Sequence, residues 1–336
     1  MDILNAFVLL TNFLIIPGIT YGCQLALGAL GVTLIYGILR FSNFAHGETM
    51  AFGTMVTILF TWMLQSWGVS LGPLPVALLA MPVGIVACIL LLLGTDKVVY
   101  KFYRRQKSTP VILLIASLGV MFFYNGLIRF IIGPDDRIFT DGSRFIITAR
   151  EFKEMTGLEQ GLAFKMTQGI TMAVTILCVI TLFWFLNKTR TGKSMRAYSD
   201  NEDLALLSGI NPDRVVMIAW MLTAVLATIA GTLYGLDKSF KPFTYLQILL
   251  PIFAAAIVGG LGSPIGAIAG GFIIALSEVF VTFAYKRFLG YLLPEEWAPE
   301  GLVQLLSTDY KFAVSFAILV IVLLVRPTGI FRGQSI

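Results

Sequence analysis

Seven stretches of this chain contain no Asp, Glu, Lys or Arg: residues 3–39, 49–95, 108–128, 166–187, 215–236, 242–277 and 312–325. About 20 apolar helical residues cross a hydrocarbon core of roughly 30 Å, so most of these runs are long enough to span a bilayer. A single signal peptide or one anchor cannot account for seven of them. Only 13% of the residues are charged and 57% are hydrophobic, against about 25% charged in an ordinary water-soluble domain. Lipid is therefore the solvent for most of the chain. The expected fold is an all-α integral membrane protein, a single transmembrane domain over residues 1–336.

Punctuation within the long runs sets the span count. Gly72-Pro73-Leu74-Pro75 ends one helix and starts another, predicting spans near 49–68 and 74–94. The run 242–277 divides likewise at Gly259-Gly260-Leu261-Gly262-Ser263-Pro264, and its first half, about 246–260, is short for a full crossing and reads as broken or re-entrant. The first run is one span interrupted at Pro17-Gly18. It has no basic n-region and no small-residue cleavage site, so it is expected to be retained. The result is a polytopic bundle of about 8–9 transmembrane helices.

Lys and Arg in short loops set the sides. Lys97, Lys101, Arg104, Arg105 and Lys107 fall between the third and fourth spans, and Lys188, Arg190, Lys193 and Arg196 follow the fifth. Two spans separate the groups, so both loops share the cytoplasmic side. Parity then puts the loop 133–165 in the periplasm, where it is long enough to meet a partner. Arg326 and Arg332 put the C-terminus in the cytoplasm, and an N-terminus on the periplasmic side then demands an odd number of crossings, nine rather than eight.

Several function classes fall away. Catalysis needs convergent acids, bases or nucleophiles, and the one histidine, His46, has no partner motif near it. Cys23, Cys88 and Cys178 lie apart inside apolar runs as small packing residues, with neither disulfide nor metal spacing. The net charge of +5 resides in loops, where membrane topology explains it better than nucleic acid does. Thr191-Gly192-Lys193-Ser194 contains the Gly-Lys-Ser of a phosphate loop, but Asn187 stands where the earlier glycine is required and a membrane helix precedes it. ATP, if used, is bound by another chain. Ion-coupled carriers use buried ionisable relays, and the candidates are few: Arg129 near the end of the fourth span and Glu278 in the last long apolar segment. For Glu278 a proton relay, a structural hydrogen bond and substrate contact all stay open.

The loop 188–213 carries a signal of its own. Ser199-Asp200-Asn201-Glu202 has the form of a capping box, predicting a short helix through Asp203–Leu207 that stops at Gly209. Leu204, Leu207 and Ile210 form an apolar stripe on it, which either lies against the protein's own helix ends or docks into a partner. The glycine clusters at 28–31, 259–262 and 266–271 suit close helix packing. At 259–264 the irregular backbone also suits a break lining a cavity.

Read together, these segments resemble the branched-chain amino acid ABC permeases. Residues 191–197 and 205–211 are similar to that family's cytoplasmic coupling loop. Tyr36-Gly37-Ile38 leading to Asn43-Phe44-Ala45-His46-Gly47-Glu48, then Gly133-Pro134, then 253–263, and finally Arg326-Pro327-Thr328-Gly329-Ile330-Phe331 follow in the family's order. The Asn43–Glu48 segment points to the H type, the LivH family. The resemblance implies the permease subunit of a bacterial inner-membrane importer. It would work with a second homologous permease, two cytoplasmic subunits that bind and hydrolyse ATP, and a periplasmic substrate-binding protein. No cofactor and no nucleic acid are implied for this chain. Branched-chain amino acids are the implied cargo; the alternatives are urea or short amides within the same family, or an ion-coupled secondary transporter or passive channel outside it. The loop 133–165 is longer and more charged than the type leads one to expect. Coupling to the ATPase subunit is expected at Arg196, Ala197, Glu202, Leu204, Leu207 and Gly209. The substrate path is expected at Asn43, His46, Glu48, Gly259, Gly260, Ser263 and Glu278, with turn chemistry at a membrane edge as the alternative reading of the first loop and of the break.

Overall fold

The computed structural model describes residues 2–139, 144–292, 301 and 303–331; Arg332, counted above toward the charge of the tail, lies outside them. In chain order the described elements are α1 (Asp2–Leu39), α2 (His46–Ser66), α3 (Ala77–Arg105), α4 (Pro110–Ile132), β1 (Phe145–Ile147), α5 (Ala149–Thr156), β2 (Phe164–Lys165), α6 (Met166–Lys188), α7 (Arg190–Asp200), α8 (Glu202–Leu207), α9 (Pro212–Lys238), α10 (Pro242–Gly259), α11 (Pro264–Thr282), α12 (Lys286–Leu292) and α13 (Lys311–Val325). Among the described residues eight helices are long and apolar enough to cross a membrane: α1, α3, α4, α6, α9, α10, α11 and the last, counted from Thr308. Helix α2 is the ninth long helix among the described residues. Its 21 residues rise about 31 Å, but its hydropathy is lowered by His46, Glu48 and a file of threonines that are all buried. The hydroxyls of Thr49, Thr54, Thr57 and Thr61 donate to the carbonyls four residues earlier, at 2.7–2.8 Å. That bond satisfies a polar group without leaving the helix, so α2 can be polar in sequence and still sit inside the bundle.

Helix starts follow a common rule. Pro110, Pro212, Pro242 and Pro264 stand in the first turn of α4, α9, α10 and α11, where the missing amide costs nothing. Asn211 and Ser263 cap α9 and α11 through side-chain acceptors at 3.2 Å.

Helices α9 and α10 form the centre: 72% and 67% of their most apolar windows are buried, against 11% in the last helix. Glycines allow the approach. A Cβ on Gly266 or Gly270 would strike the backbone of Gly259 or Ala255, and one on Gly271 the backbone of Ala26. These contacts run in opposite senses along the chain, so α11 lies antiparallel to both α10 and α1 with nearly touching backbones.

The two ends of the bundle are distinct. At one end the guanidinium of Arg40 donates to the carbonyl of Ser199, Gly37 faces Ser199 and Gly262, and Ile330 and Phe331 donate to the carbonyls of Val258 and Gly259 at 2.9 and 3.1 Å. At the other end Asn5 and Asn12 accept from the amides of Gln160 and Ala163, and Arg137 exchanges two 2.8 Å bonds with Phe240. The start of α1 therefore shares an end with the described part of 133–165, and residues 329–331 share the other with 188–213.

Four expectations change. Helix α1 is not interrupted at Pro17-Gly18. A π-helical turn at Thr11–Ile15 takes up the amide that Pro17 lacks, and the helix continues. Helix α10 is not a half-length re-entrant segment: it begins at Pro242 and its 18 residues rise about 27 Å, with the break itself confined to 260–263. Lys97, Lys101, Arg104 and Arg105 lie on a helical extension of α3 through a second π turn at Asp96–Tyr100, not in an irregular loop. The capping box at Ser199 does not form. Ser199 belongs to α7, and Asn201 caps α8 by accepting from Leu204 N at 3.0 Å, because the chain stays helical from Arg190 to Asp200 and breaks only at the extended Asn201.

Candidate functional site

Helix α1 ends at Arg40, whose backbone is left-handed (φ 56°). The next residues fold back beside α1, so that α2 starts deep in the protein. The His46 ring lies against Gly31, where a Cβ would come within 2.6 Å of it. Non-helical backbone at this depth must be covered by protein, and it is: Phe41, Asn43, Ala45, His46 and Glu48 are all buried. The Asn43 carboxamide oxygen accepts from Ala45 N at 3.1 Å and from the Tyr100 hydroxyl at 3.2 Å, an Asx turn that orients the start of α2. Phe44 N donates to Ser117 at 3.1 Å, and Asn125 donates to one oxygen of Glu48 at 2.8 Å. The second oxygen of Glu48 is buried without a protein partner, as are Thr33 Oγ1, Thr232 Oγ1 and Gln24 Oε1. These unpaired atoms are spread over α1, α2 and α9, with Thr33 on the side of α1 that meets α7.

From this turn a strut leads to the end of the bundle that carries α7 and α8. Tyr100, bonded to Asn43, stacks on Trp220 with ring centres 5.1 Å apart and planes 18° apart. The Trp220 indole donates to Asp96 at 2.8 Å, and Asp96 is held by a bidentate pair with Arg104. Met195 and Tyr198 of α7 and Ala205 of α8 are buried in the same apolar cluster as Phe41, Tyr100 and Trp220. The Tyr198 hydroxyl donates to Glu202 at 2.6 Å, and burial together with the neighbouring Glu202 carboxylate holds the phenol well above its ordinary range.

Helix α8 ends as its sequence predicts. Gly209 is left-handed (φ 79°). Its amide bonds to Leu206 O at 3.0 Å, and Ile210 N bonds to Ala205 O at 3.1 Å, the paired closure of a Schellman motif. Of the apolar stripe, Ile210 packs against the protein's own cluster, whereas Leu204 and Leu207 are 62% and 85% exposed and do not lie against its helix ends. Arg196 instead lines a cavity of about 140 Å³ with Gly37, Met195, Ser199, Gly262 and Pro264, joining α7 to the break after α10. At that break Gly260 and Gly262 take φ of 111° and 85°, and the turn of residues 329–331 covers Gly259 and Gly260.

Asn43, His46 and Glu48 are brought together; Glu278 is elsewhere. Leu276, two residues before Glu278, packs on Gly18, whereas His46 packs on Gly31, about 20 Å along α1. Glu278 accepts from the Ser315 hydroxyl, and Lys311 sits 5.6 Å over the Tyr21 ring, which makes this a junction of α1, α11 and α13. Gly259, Gly260 and Ser263 lie at the α7 end, apart from both. Sequence reading missed Arg40, Asp96, Tyr100, Arg104, Asn125 and Trp220. The available signals were an acid opening the basic run 97–107 and a carboxamide inside the otherwise apolar run 108–128.

Comparison with known proteins agrees with this architecture. The profile of the family described as "Branched-chain amino acid transport system / permease component" matches residues 14–323. The chain is 32% identical over 328 residues to the high-affinity branched-chain amino acid transport system permease protein LivH of Escherichia coli K12, covering 95% of this chain and 94% of that protein. It is 26% identical over 323 residues to the corresponding permease BraD of Pseudomonas aeruginosa, with 96% of each covered. To a probable branched-chain amino acid transport permease protein LivH of Methanocaldococcus jannaschii it is 29% identical over 318 residues, 93% of this chain and 90% of that one. No solved structure matches. The chain belongs to the branched-chain amino acid transport permease family.

Proposed function

We propose that this protein is the membrane-spanning permease subunit of an ABC importer for branched-chain amino acids. ATP is bound and hydrolysed by two cytoplasmic partner subunits, a second homologous permease completes the pathway, and a periplasmic binding protein delivers the solute. The membrane is the bacterial inner membrane, with the start of α1 and residues 133–165 on the periplasmic side and α7, α8 and residues 329–331 on the cytoplasmic side. The basic runs 97–107 and 188–196 support that orientation.

One observation carries the reading: α8 exposes Leu204 and Leu207 while α7 is tied to the bundle by Met195, Tyr198 and the Arg40–Ser199 bond. A short capped helix with an apolar outer face and a rigid inner attachment is built to receive force. In this scheme closure of the ATPase dimer moves α7–α8, the Trp220–Tyr100 strut carries the displacement to the Asn43 turn, and the α2 start shifts against α1 and α9. The unpaired Glu48 oxygen, Thr33, Thr232 and Gln24 then face the opened path, where a zwitterion needs both donors and acceptors. Arg196 and Ala197 position α7, Glu202 locks Tyr198, Leu204 and Leu207 dock, and Gly209 ends the helix. Gly259, Gly260 and Ser263 form the hinge beside α7. Glu278 has a structural role at the α1–α11–α13 junction.

The test is to purify the tagged protein from mild detergent and identify what accompanies it, then measure uptake of labelled leucine against unlabelled isoleucine, urea and acetamide. Co-purification of an ATPase and a second permease, with competition by isoleucine alone, supports the reading. Competition by urea or acetamide moves the cargo to amides, and a protein that arrives alone and accumulates solute only with a proton gradient overturns the reading.

A further inference from the structure

Helices α3 and α4 are consecutive and joined by a short turn, yet they splay apart. The space between them is a groove of about 640 Å³ lined by Leu90, Gly94, Val98, Gly119, Val120 and Phe123, with the bonded hydroxyls of Thr95 and Tyr124, 2.6 Å apart, at its floor. A Cβ on Gly94 or Gly119 would meet nothing within 4 Å, so these glycines do not seat a neighbouring helix of this chain. Apolar walls at bilayer depth gain contact energy only when something fills the space between them.

The mouth of the groove carries unneutralised positive charge. Residues 97–132 contain no acid at all. The two carboxylates nearest in the fold are already committed, Asp96 to Arg104 and Asp213 to Lys101 at 2.9 Å. Lys97, Arg105 and Lys107 stay exposed around the turn that leads into α4. An apolar slot opening beneath a cluster of cations fits one amphiphile: a chain below and an anion above.

We infer that the α3–α4 groove is a binding site for an anionic phospholipid, one acyl chain lying between Gly94 and Gly119 and the headgroup phosphate held by Arg105 and Lys107 with Lys97 beside them. The chain thereby gains a fixed lipid that wedges α3, which carries Asp96 and Tyr100, against α4. The site is independent of the transport reading and does not need partner subunits.

The test is native mass spectrometry of the purified full chain after exchange into phosphatidylglycerol or phosphatidylcholine at equal mole fraction. Wild type is expected to retain phosphatidylglycerol in preference to phosphatidylcholine, and each of Arg105→Gln and Lys107→Gln to reduce that preference about fivefold. Gly94→Leu/Gly119→Leu, which fills the slot, should lose both lipids. A photoreactive acyl chain reads the occupant without filling the groove: cross-links should map to residues 90–98 and 116–124. Equal retention of the two lipids by wild type, undiminished retention by the leucine double variant, or cross-linking of a second protein chain through Gly119→Cys in place of lipid would overturn the inference.

Discussion

The Asp96–Arg104 pair holds the strut between α7–α8 and the Asn43 turn, and its removal has a calculable cost. Asp96 and Arg104 side chains are 13% and 20% exposed. Arg104→Gln leaves the carboxylate with the Trp220 indole as its remaining charged-state donor. Breaking a fully buried pair from one side costs about 3–5 kcal/mol; with this residual access to solvent the figure falls to about 2–3 kcal/mol. Asp96→Asn costs less, about 1–2 kcal/mol, because the carboxamide still accepts from Trp220 and the guanidinium reaches water. In the double variant the stranded charge is gone, so the costs are not additive and the cycle should yield a coupling of about 1–2 kcal/mol. Denaturant unfolding of the four proteins in mixed micelles measures it. Solute moved per ATP hydrolysed, in liposomes with the ATPase subunits, should fall in Arg104→Gln and recover in part in the double variant. Costs that add to within about 0.5 kcal/mol, with an unchanged transport ratio, would refute both the pair's role and the strut.

Other outcomes follow from single positions. Gly209→Val strains a left-handed residue by about 1–2 kcal/mol or more at a site with no neighbour within 4 Å, so uptake should fall while membrane insertion, read by fractionation, is unchanged. Gly266→Ala drives a Cβ into the backbone of Gly259 and should destabilise by about 1–3 kcal/mol, whereas Gly126→Ala, with open space around it, should be neutral or stabilising by unfolding assays. Glu151 caps α5 by accepting from the Thr148 amide at 2.9 Å and its hydroxyl at 2.8 Å, which holds its carboxyl below the usual range. A depressed carboxylate stabilises above its unfolded value of about 4.3 and loses that contribution as pH falls through the lower folded value. The protection of α5 amides, relative to their intrinsic exchange at each pH, should therefore fall on acidification in the wild type and lose that pH dependence in Glu151→Gln.

Much of this architecture is legible in the sequence because lipid imposes a coarse rule: charge-free runs, proline starts and glycine ends mark α4, α6, α9 and α13 within a few residues. The glycine stop at Gly209 is legible for the same local reason, since its conformation needs no tertiary partner. What the sequence conceals is tertiary. Helix α2 reads as a span, but its central burial is not legible, because its threonines satisfy themselves within the helix. Asn201 displaces Ser199 as the cap because α7 extends further than its composition suggests, anchored by Met195 and Tyr198. Tyr100 and Trp220 lie far apart in the chain and read singly as apolar filler; only the fold brings them face to face above Asn43. For Glu278 the sequence leaves relay, structural bond and path contact open, because nothing there reveals Ser315 across from it.

The most direct test of the account is ATP-driven leucine uptake into liposomes holding this chain, a second permease of its family and the ATPase subunits, with Leu204→Asp/Leu207→Asp measured alongside. Vanadate-sensitive accumulation against a gradient is expected, and it should disappear in the double variant while the protein stays folded and inserted. Accumulation undiminished in the double variant, or leucine that only equilibrates whether or not ATP is present, would contradict it.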